Sequence, residues 1–425
     1  DSVVMKDNST IKTYNANEVS LGNLELEFGI IRLIGGSIDL AGGTVEEEGV
    51  LLLPGQSTVS LDNDLTVNGF LALTPDVSFD FGGNKIDVSG GRIDVGGIRS
   101  LDNLITDEDT TLNVLGYLEA SRTDGEENTI GDLGFYGNSQ SLEVSDMDLI
   151  VKGTAQFDGK YITHSNGNLV FQNTPSMSNS SSLQLSEGEL ILQGGITLND
   201  QSSVSLTGSI LKPTGLVSLG SGSLNMDNTS SAVLQGETTL SKDGAIYLTA
   251  LNLNGKAFSL GSNVTDLSIS NAMTIADGAT LNIATSNLSM GSTLTIENGG
   301  SISSSSGNVQ IMGALTLGGG LVQGGGELNM IGGGSVGNGG VLDIKDSVLK
   351  MGAQLSITGK LVVNSGTTWS GLGGTVDLTA GRFESGGGAF ELNSFQVGDN
   401  STFSLTGATT IESSNDLTLG NLELG

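Results

Sequence analysis

The sequence predicts an all-β fold, a parallel β-solenoid with about 20 residues and three short strands per coil. Three observations point there. Apolar residues recur at i and i+2 and then stop at Gly, Asn, Asp or Ser. Successive pairs commonly lie six or seven positions apart, and every third pair restores a longer, near-constant step: positions 309, 328, 349, 369, 390 and 411 follow one another at intervals of 19, 21, 20, 21 and 21. Composition agrees, with 66 Gly, 4 Pro and only 4% aromatics in 425 residues.

The strands read off in order along the C-terminal part as Val309/Ile311, Leu315/Leu317, Leu328/Met330, Leu342/Ile344, Leu349/Met351, Leu355/Ile357, Leu361/Val363, Val376/Leu378, Phe390/Leu392, Phe403/Leu405 and Leu417/Leu419. Alternation places these pairs inside, while Thr316, Asp343, Ser356, Val362 and Asp377 point outward. One such coil cannot bury its own inward residues. Stacking at roughly 4.8 Å per coil lets aliphatic side chains sit over one another and forms a narrow continuous core, with roughly 21 coils and a rod on the order of 100 Å. The corners need φ > 0, which Gly adopts at no cost and Asn and Asp tolerate. Hence NG at 68–69, 254–255, 298–299 and 338–339, and DG at 124–125, 158–159, 243–244 and 277–278, mark corners rather than antiparallel hairpins.

Sixteen basic against 47 acidic residues give a net charge of −31, which repels phosphate backbones and anionic membrane surfaces. No apolar run reaches the roughly 20 residues of a membrane helix. The charge is uneven, −20 over residues 1–150 and −11 over 151–425. Residues 1–172 therefore read as an acidic, less regular solenoid part, 173–182 (NTPSMSNSSS) as a polar protruding loop, and 183–425 as a regular solenoid. The segment LGNLELE at 21–27 is echoed by LGNLELG at 419–425, in mid-strand pattern and without a polar cap. The chain, which begins DSVVMKDNST with no leader, reads as a processed chain or a fragment whose end is covered by a continuation or by another copy.

Residues suited to catalysis are scarce. With no Cys, the lone His164 in GKYITHSNGN is the one imidazole, expected at an exposed or corner position rather than as a general base. No G-x-S-x-G elbow stands between a strand and a helix. Of the arginines Arg32, Arg92, Arg99, Arg122 and Arg382, four lie in the acidic N-terminal third, where pairing with that surface is the expected role. Residues 79–136 are where arginines and acids are both dense, the place for any polysaccharide-acting groove. Calcium has candidate oxygen clusters at Asp62-Asn63-Asp64, Asp107-Glu108-Asp109 and Asp146 with Asp148, and Glu46-Glu47-Glu48 is a further acidic run. None forms an EF-hand loop or a repeat-in-toxin nonapeptide, so no catalytic, cofactor-binding or metal-ligating residue is assigned. Gly-rich 317–334 lacks a following helix and a Walker lysine, and reads as corners. Phe383 and Phe403 lie one coil apart, with Phe390 and Phe395 between; stacked core aromatics are expected, a sugar platform being the alternative. Six N-x-S/T sequons, at Asn8, Asn179, Asn228, Asn263, Asn287 and Asn400, match compositional background.

In segments such as LTIENGGSISSSSGNVQIMGALTLGGG (294–320) and LSITGKLVVNSGTTWSGLGGTVDL (355–378) the chain resembles the passenger regions of bacterial exported adhesins, the autotransporters and filamentous-haemagglutinin-like proteins. The resemblance covers nearly the whole chain and rests on periodicity and composition. It implies a right-handed parallel β-helix on the cell surface without an active site, and it carries over no functional residue.

The expectation is a non-enzymatic extracellular structural protein, a surface adhesin segment or a filament or matrix subunit. Its expected partners are other copies end to end, or a continuation of a longer chain, and surface or matrix glycans; nucleic acid and membrane insertion are not expected. The competing reading is a carbohydrate-binding or polysaccharide-cleaving β-helix acting on a groove along one face. An ice-binding solenoid would need a regular T-x-T array, which is rare here.

Overall fold

A computed structural model describes the chain apart from residues 1–2, 7–9, 14–17, 35, 54–56, 74–77, 81–83, 96–103, 108–109, 115–116, 122–127, 136–140, 372–373, 379, 392–394 and 413–419. The described residues contain strands and no helix, and the strands stack in parallel as a β-solenoid of about 17 turns. A constant sequence step would give roughly 21 coils over the full length, but the step varies. It is shorter between the register partners Ile86 and Leu104 than between Tyr117 and Ser141. The chain divides into two compact units, one of Asp1–Lys212 with Gly220–Ser223 and the other of Pro213–Leu219 with Leu224–Gly425.

The second unit shows the repeat most plainly. Three ladders take up successive strands in turn. Val264–Ile269, Met273–Ile275 and Thr280–Ala284 are followed, each on its own ladder, by Asn287–Met290, Leu294–Ile296 and Ser301–Ser304. The spacing read from the sequence is the ladder register itself: Val309 pairs with Leu328, Leu328 with Leu349 and Leu349 with Trp369, and Phe390 pairs with Ile411. Short strands such as Leu294–Ile296 and Leu315–Leu317 turn their first and third residues into the core and their middle residue outward. Every inward Leu, Ile or Val removed from water contributes about 2 kcal/mol. The thin core is therefore stabilised by number of coils rather than by large side chains.

The first unit begins differently, with strands long enough to run round a corner. Leu24–Arg32 buries Leu24 and Leu26, then Gly29 and Ile31, and the change of parity coincides with a register shift between Leu26 and Phe28. Its neighbour Gly43–Leu53 pairs with Leu65–Val67 through one half and with Phe70–Leu73 through the other. The exposed Glu47 and Glu48 lie at that bend, where the chain passes between two faces. The acidic run is thus a solvated corner.

Corners carry the expected φ > 0 at Gly159, Gly244, Gly255, Gly278, Gly299 and Gly339. The polar stretch 173–182 is part of a coil rather than a protrusion. Ser176–Ser178 is a strand paired with Gln156–Asp158, and Met177 and Ser181 are buried. A three-residue strand needs one inward side chain, so Met177 alone suffices and its serine neighbours mask it in the sequence.

Where coils stack tightly the corner must be glycine. A Cβ on Gly188 would be driven into the carbonyl oxygen of Gly167, one coil earlier, which is backbone and cannot yield. Gly188→Ala is expected to destabilise the first unit by about 1–3 kcal/mol. Urea unfolding should show a lower midpoint, and an unchanged midpoint would refute this account of the corner.

Candidate functional site: a polar groove over residues 338–402

His164 lies in the strand Tyr161–Ser165 at an inward position, stacked between Val144 and Leu185. It is 0% exposed, not at a solvated corner as its sequence context suggested. Among the described residues no well-formed hydrogen bond reaches either ring nitrogen. Burial pushes its pKa down to about 4, and the Asp148 charge and the Met147 main chain oppose this only in part. The imidazole is a neutral core side chain at pH 7.

Several acidic residues are occupied by neighbouring coils. A carboxylate accepts from an Asn amide about one coil later at Asp146 and Asn166 (3.0 Å), Asp148 and Asn168 (3.1 Å), Asp243 and Asn263 (2.7 Å), Asp266 and Asn287 (2.8 Å), and Asp346 and Asn364 (3.1 Å). Asp158 accepts from Asn179 in the same way. Some of these contacts relay onward. In the first unit Asp148 holds Asn168, the Glu189 N–H donates to Asn168, and Lys212 pairs with Glu189 at 2.5 Å. In the second, Asp266, Asn287, Asn308 and Glu327 form the same kind of chain, ending on Lys350 at 2.6 Å. The Asn287 and Thr265 hydrogen bonds hold the Asp266 carboxyl below the usual range.

This bears on the calcium candidates. Asp146 and Asp148 each hold up the next coil, Asp64 accepts from the Lys85 N–H at 2.8 Å, and Asp107 accepts from the Gly90 N–H at 2.9 Å; Glu108 and Asp109 lie outside the described residues. Among the described residues no three His, Asp or Glu side chains gather as a metal site would need. Three sequon asparagines, Asn179, Asn263 and Asn287, spend their amides on these ladders.

Among the arginines, Arg92 forms a fork with Asp94 at 2.8 and 2.9 Å and lies over the Phe70 ring at 4.8 Å. Asp94 also accepts from Asn113 at 2.7 Å, so the pair is built into the ladder. Arg99 and Arg122 lie outside the described residues. Phe383 and Phe403 are fully buried with ring centroids 5.1 Å apart, and Phe395 packs edge-on to Trp369 and Phe383. The phenylalanines at 383 and 403 are thus core, not a sugar platform; the Phe390 side chain lies outside the described residues.

What the sequence did not single out is a groove of about 390 Å³ in the second unit, crossing four successive coils. Its wall carries Asn338, Thr358, Lys360, Arg382, Asn400 and Thr402. Lys360 and Arg382 are register partners on adjacent coils, and Arg382 is in turn the partner of Thr402. Immediately before these strands stand Gly340, Gly359 and Gly381, where a Cβ would run into the carbonyl oxygens of Leu317, Gly337 and Ile357. Close stacking on the earlier coil therefore requires glycine at these three positions.

The charges in the groove form a chain. Lys360 Nζ donates to Glu384 at 3.0 Å, Arg382 Nε donates to Glu384 at 2.7 Å, and Arg382 Nη2 reaches Glu423 at 2.7 Å. Burial alone would raise the Glu384 pKa, but the Arg382 and Lys360 hydrogen bonds outweigh it and hold the carboxyl below its usual range. A Lys and an Arg one coil apart was the available sequence signal, obscured because the step between them is longer than its neighbours.

The chain matches no family model, no curated protein and no solved structure.

Proposed function

We propose that this protein is a non-enzymatic structural element of an extracellular or cell-surface assembly, an adhesin segment or a filament or matrix subunit built by coil stacking. The observation that carries this reading is where the chemically capable residues went. His164 is a neutral core residue, Arg92 and Arg382 are forked onto carboxylates, and aspartates such as Asp146 and Asp266 hold the asparagines of the next coil. Side chains used in this way stiffen a surface and leave little for turnover. The resemblance to exported adhesin passengers supports the same reading.

Assembly would use strand edges. Val3–Met5 and Asn421–Leu424 each pair on one side only among the described residues. Asn421–Leu424 stacks on Thr402–Leu405 with Leu422 and Leu424 still 53% and 77% exposed. A second copy, or a continuation of the chain, laid on that edge would cover both leucines and pair the edge. Light scattering of the purified chain is expected to show association that rises with concentration, and negative-stain images to show end-to-end joins. A species that stays monomeric at high concentration would sink the assembly part of this proposal.

A further inference from the structure

We propose that the groove over residues 338–402 is a binding subsite for an extended acidic glycan, a chain rich in hydroxyls whose sugar units carry carboxylates. This goes beyond the structural role and does not depend on it. The first argument is unused hydrogen-bonding capacity. On the ladders at Asn166, Asn168, Asn263 and Asn287 the amides are consumed by a carboxylate about one coil earlier. In the groove the Asn338 and Asn400 amides and the Thr402 hydroxyl have no side-chain partner among the described residues, although the residues line one continuous wall.

The cations are also only partly engaged. Lys360 uses one of its three N–H donors on Glu384, and Arg382 uses Nε and Nη2 but not Nη1. Glu384 and Glu423 thus fix the two cations while leaving donors pointing elsewhere. A ligand carboxylate can take those donors as charge-assisted hydrogen bonds.

Spacing and charge narrow the class. The donors recur from coil to coil at roughly 4.8 Å, which suits a polymer with one polar unit per step rather than a compact molecule. The surrounding chain carries −31, so a polyanion is repelled almost everywhere else on it. Lys360 and Arg382 on adjacent coils make this stretch locally neutral. A neutral glycan would have no use for that pair.

The test is titration of the full chain with a galacturonic acid hexamer, followed by calorimetry, with a cellulose hexamer as the neutral control. Saturable binding of the acidic hexamer is expected, weakening with added salt. Lys360→Gln and Asn400→Asp are each expected to weaken it by about tenfold. Asn400 is exposed, so Asn400→Asp keeps the question answerable if Lys360→Gln unfolds. No saturable binding, equal binding of the neutral hexamer, or full binding by a folded Asn400→Asp variant would each overturn the proposal.

Discussion

Phe383→Ala is expected to destabilise the second unit by about 3–5 kcal/mol, the range for truncating a buried aromatic. Phe383 is 0% exposed, sits in register between Leu361 and Phe403, and meets the rings of Phe403 and Phe395 at 5.1 and 6.2 Å. Its neighbours are pinned by backbone ladders on both sides, so the cavity cannot collapse as it might in a loosely connected core. In a stacked array each coil depends on its neighbours. The loss should therefore appear first as opening of the coils around residues 361–405, read by hydrogen exchange, and then as a lower urea midpoint. Uniform protection unchanged from the parent would contradict the packing described here.

Lowering the pH from 7 to 4.5 is expected to cost about 2–3 kcal/mol through His164 alone. The folded pKa is about 4 against 6.5 for the free side chain. Below pH 6.5 the unfolded chain takes up a proton that the folded chain refuses. Stability is thus full above pH 6.5, falls between 6.5 and 4, and levels off below. Carboxylates titrate in part of the same window, so the comparison must be with His164→Leu, which places an aliphatic side chain between Val144 and Leu185. The variant should match or exceed the parent at pH 7 and lose less stability on acidification. Identical pH profiles would show that the imidazole does not carry this dependence.

The all-β class and the stacking period are legible in the sequence because inward and outward residues alternate in most of the strands that are three to five residues long. Val309, Leu328, Leu349 and Trp369 fall on one line by spacing alone, and the ladder pairs them. Four things were hidden. The coil-turning strand Leu24–Arg32 changes parity partway, and Gly43–Leu53 breaks its alternation at the exposed Glu47, which reads as irregularity. Met177 was masked by serines, because a short strand needs so little apolar content. His164 was misplaced because its polar neighbours resemble a turn, although its position two residues after the inward Ile162 marks it as inward-facing. The groove was hidden for a further reason. Its residues are spread over four coils, and the spacing of its Lys–Arg pair departs from the mean step.

The register shifts have an evolutionary consequence. Pairing slips between Leu26 and Phe28, between Gly244 and Ala245, and between Asn282 and Ala284, and in each case the strands regain order within a residue or two. In an antiparallel sheet one inserted residue can turn a whole strand inside out. Here a corner absorbs the extra residue and resets which side faces the core, so the change stays confined to adjoining coils. A lineage carrying this architecture can gain, lose or lengthen loops coil by coil without rewriting the rest of the gene, so sequence similarity can erode faster than the stack itself.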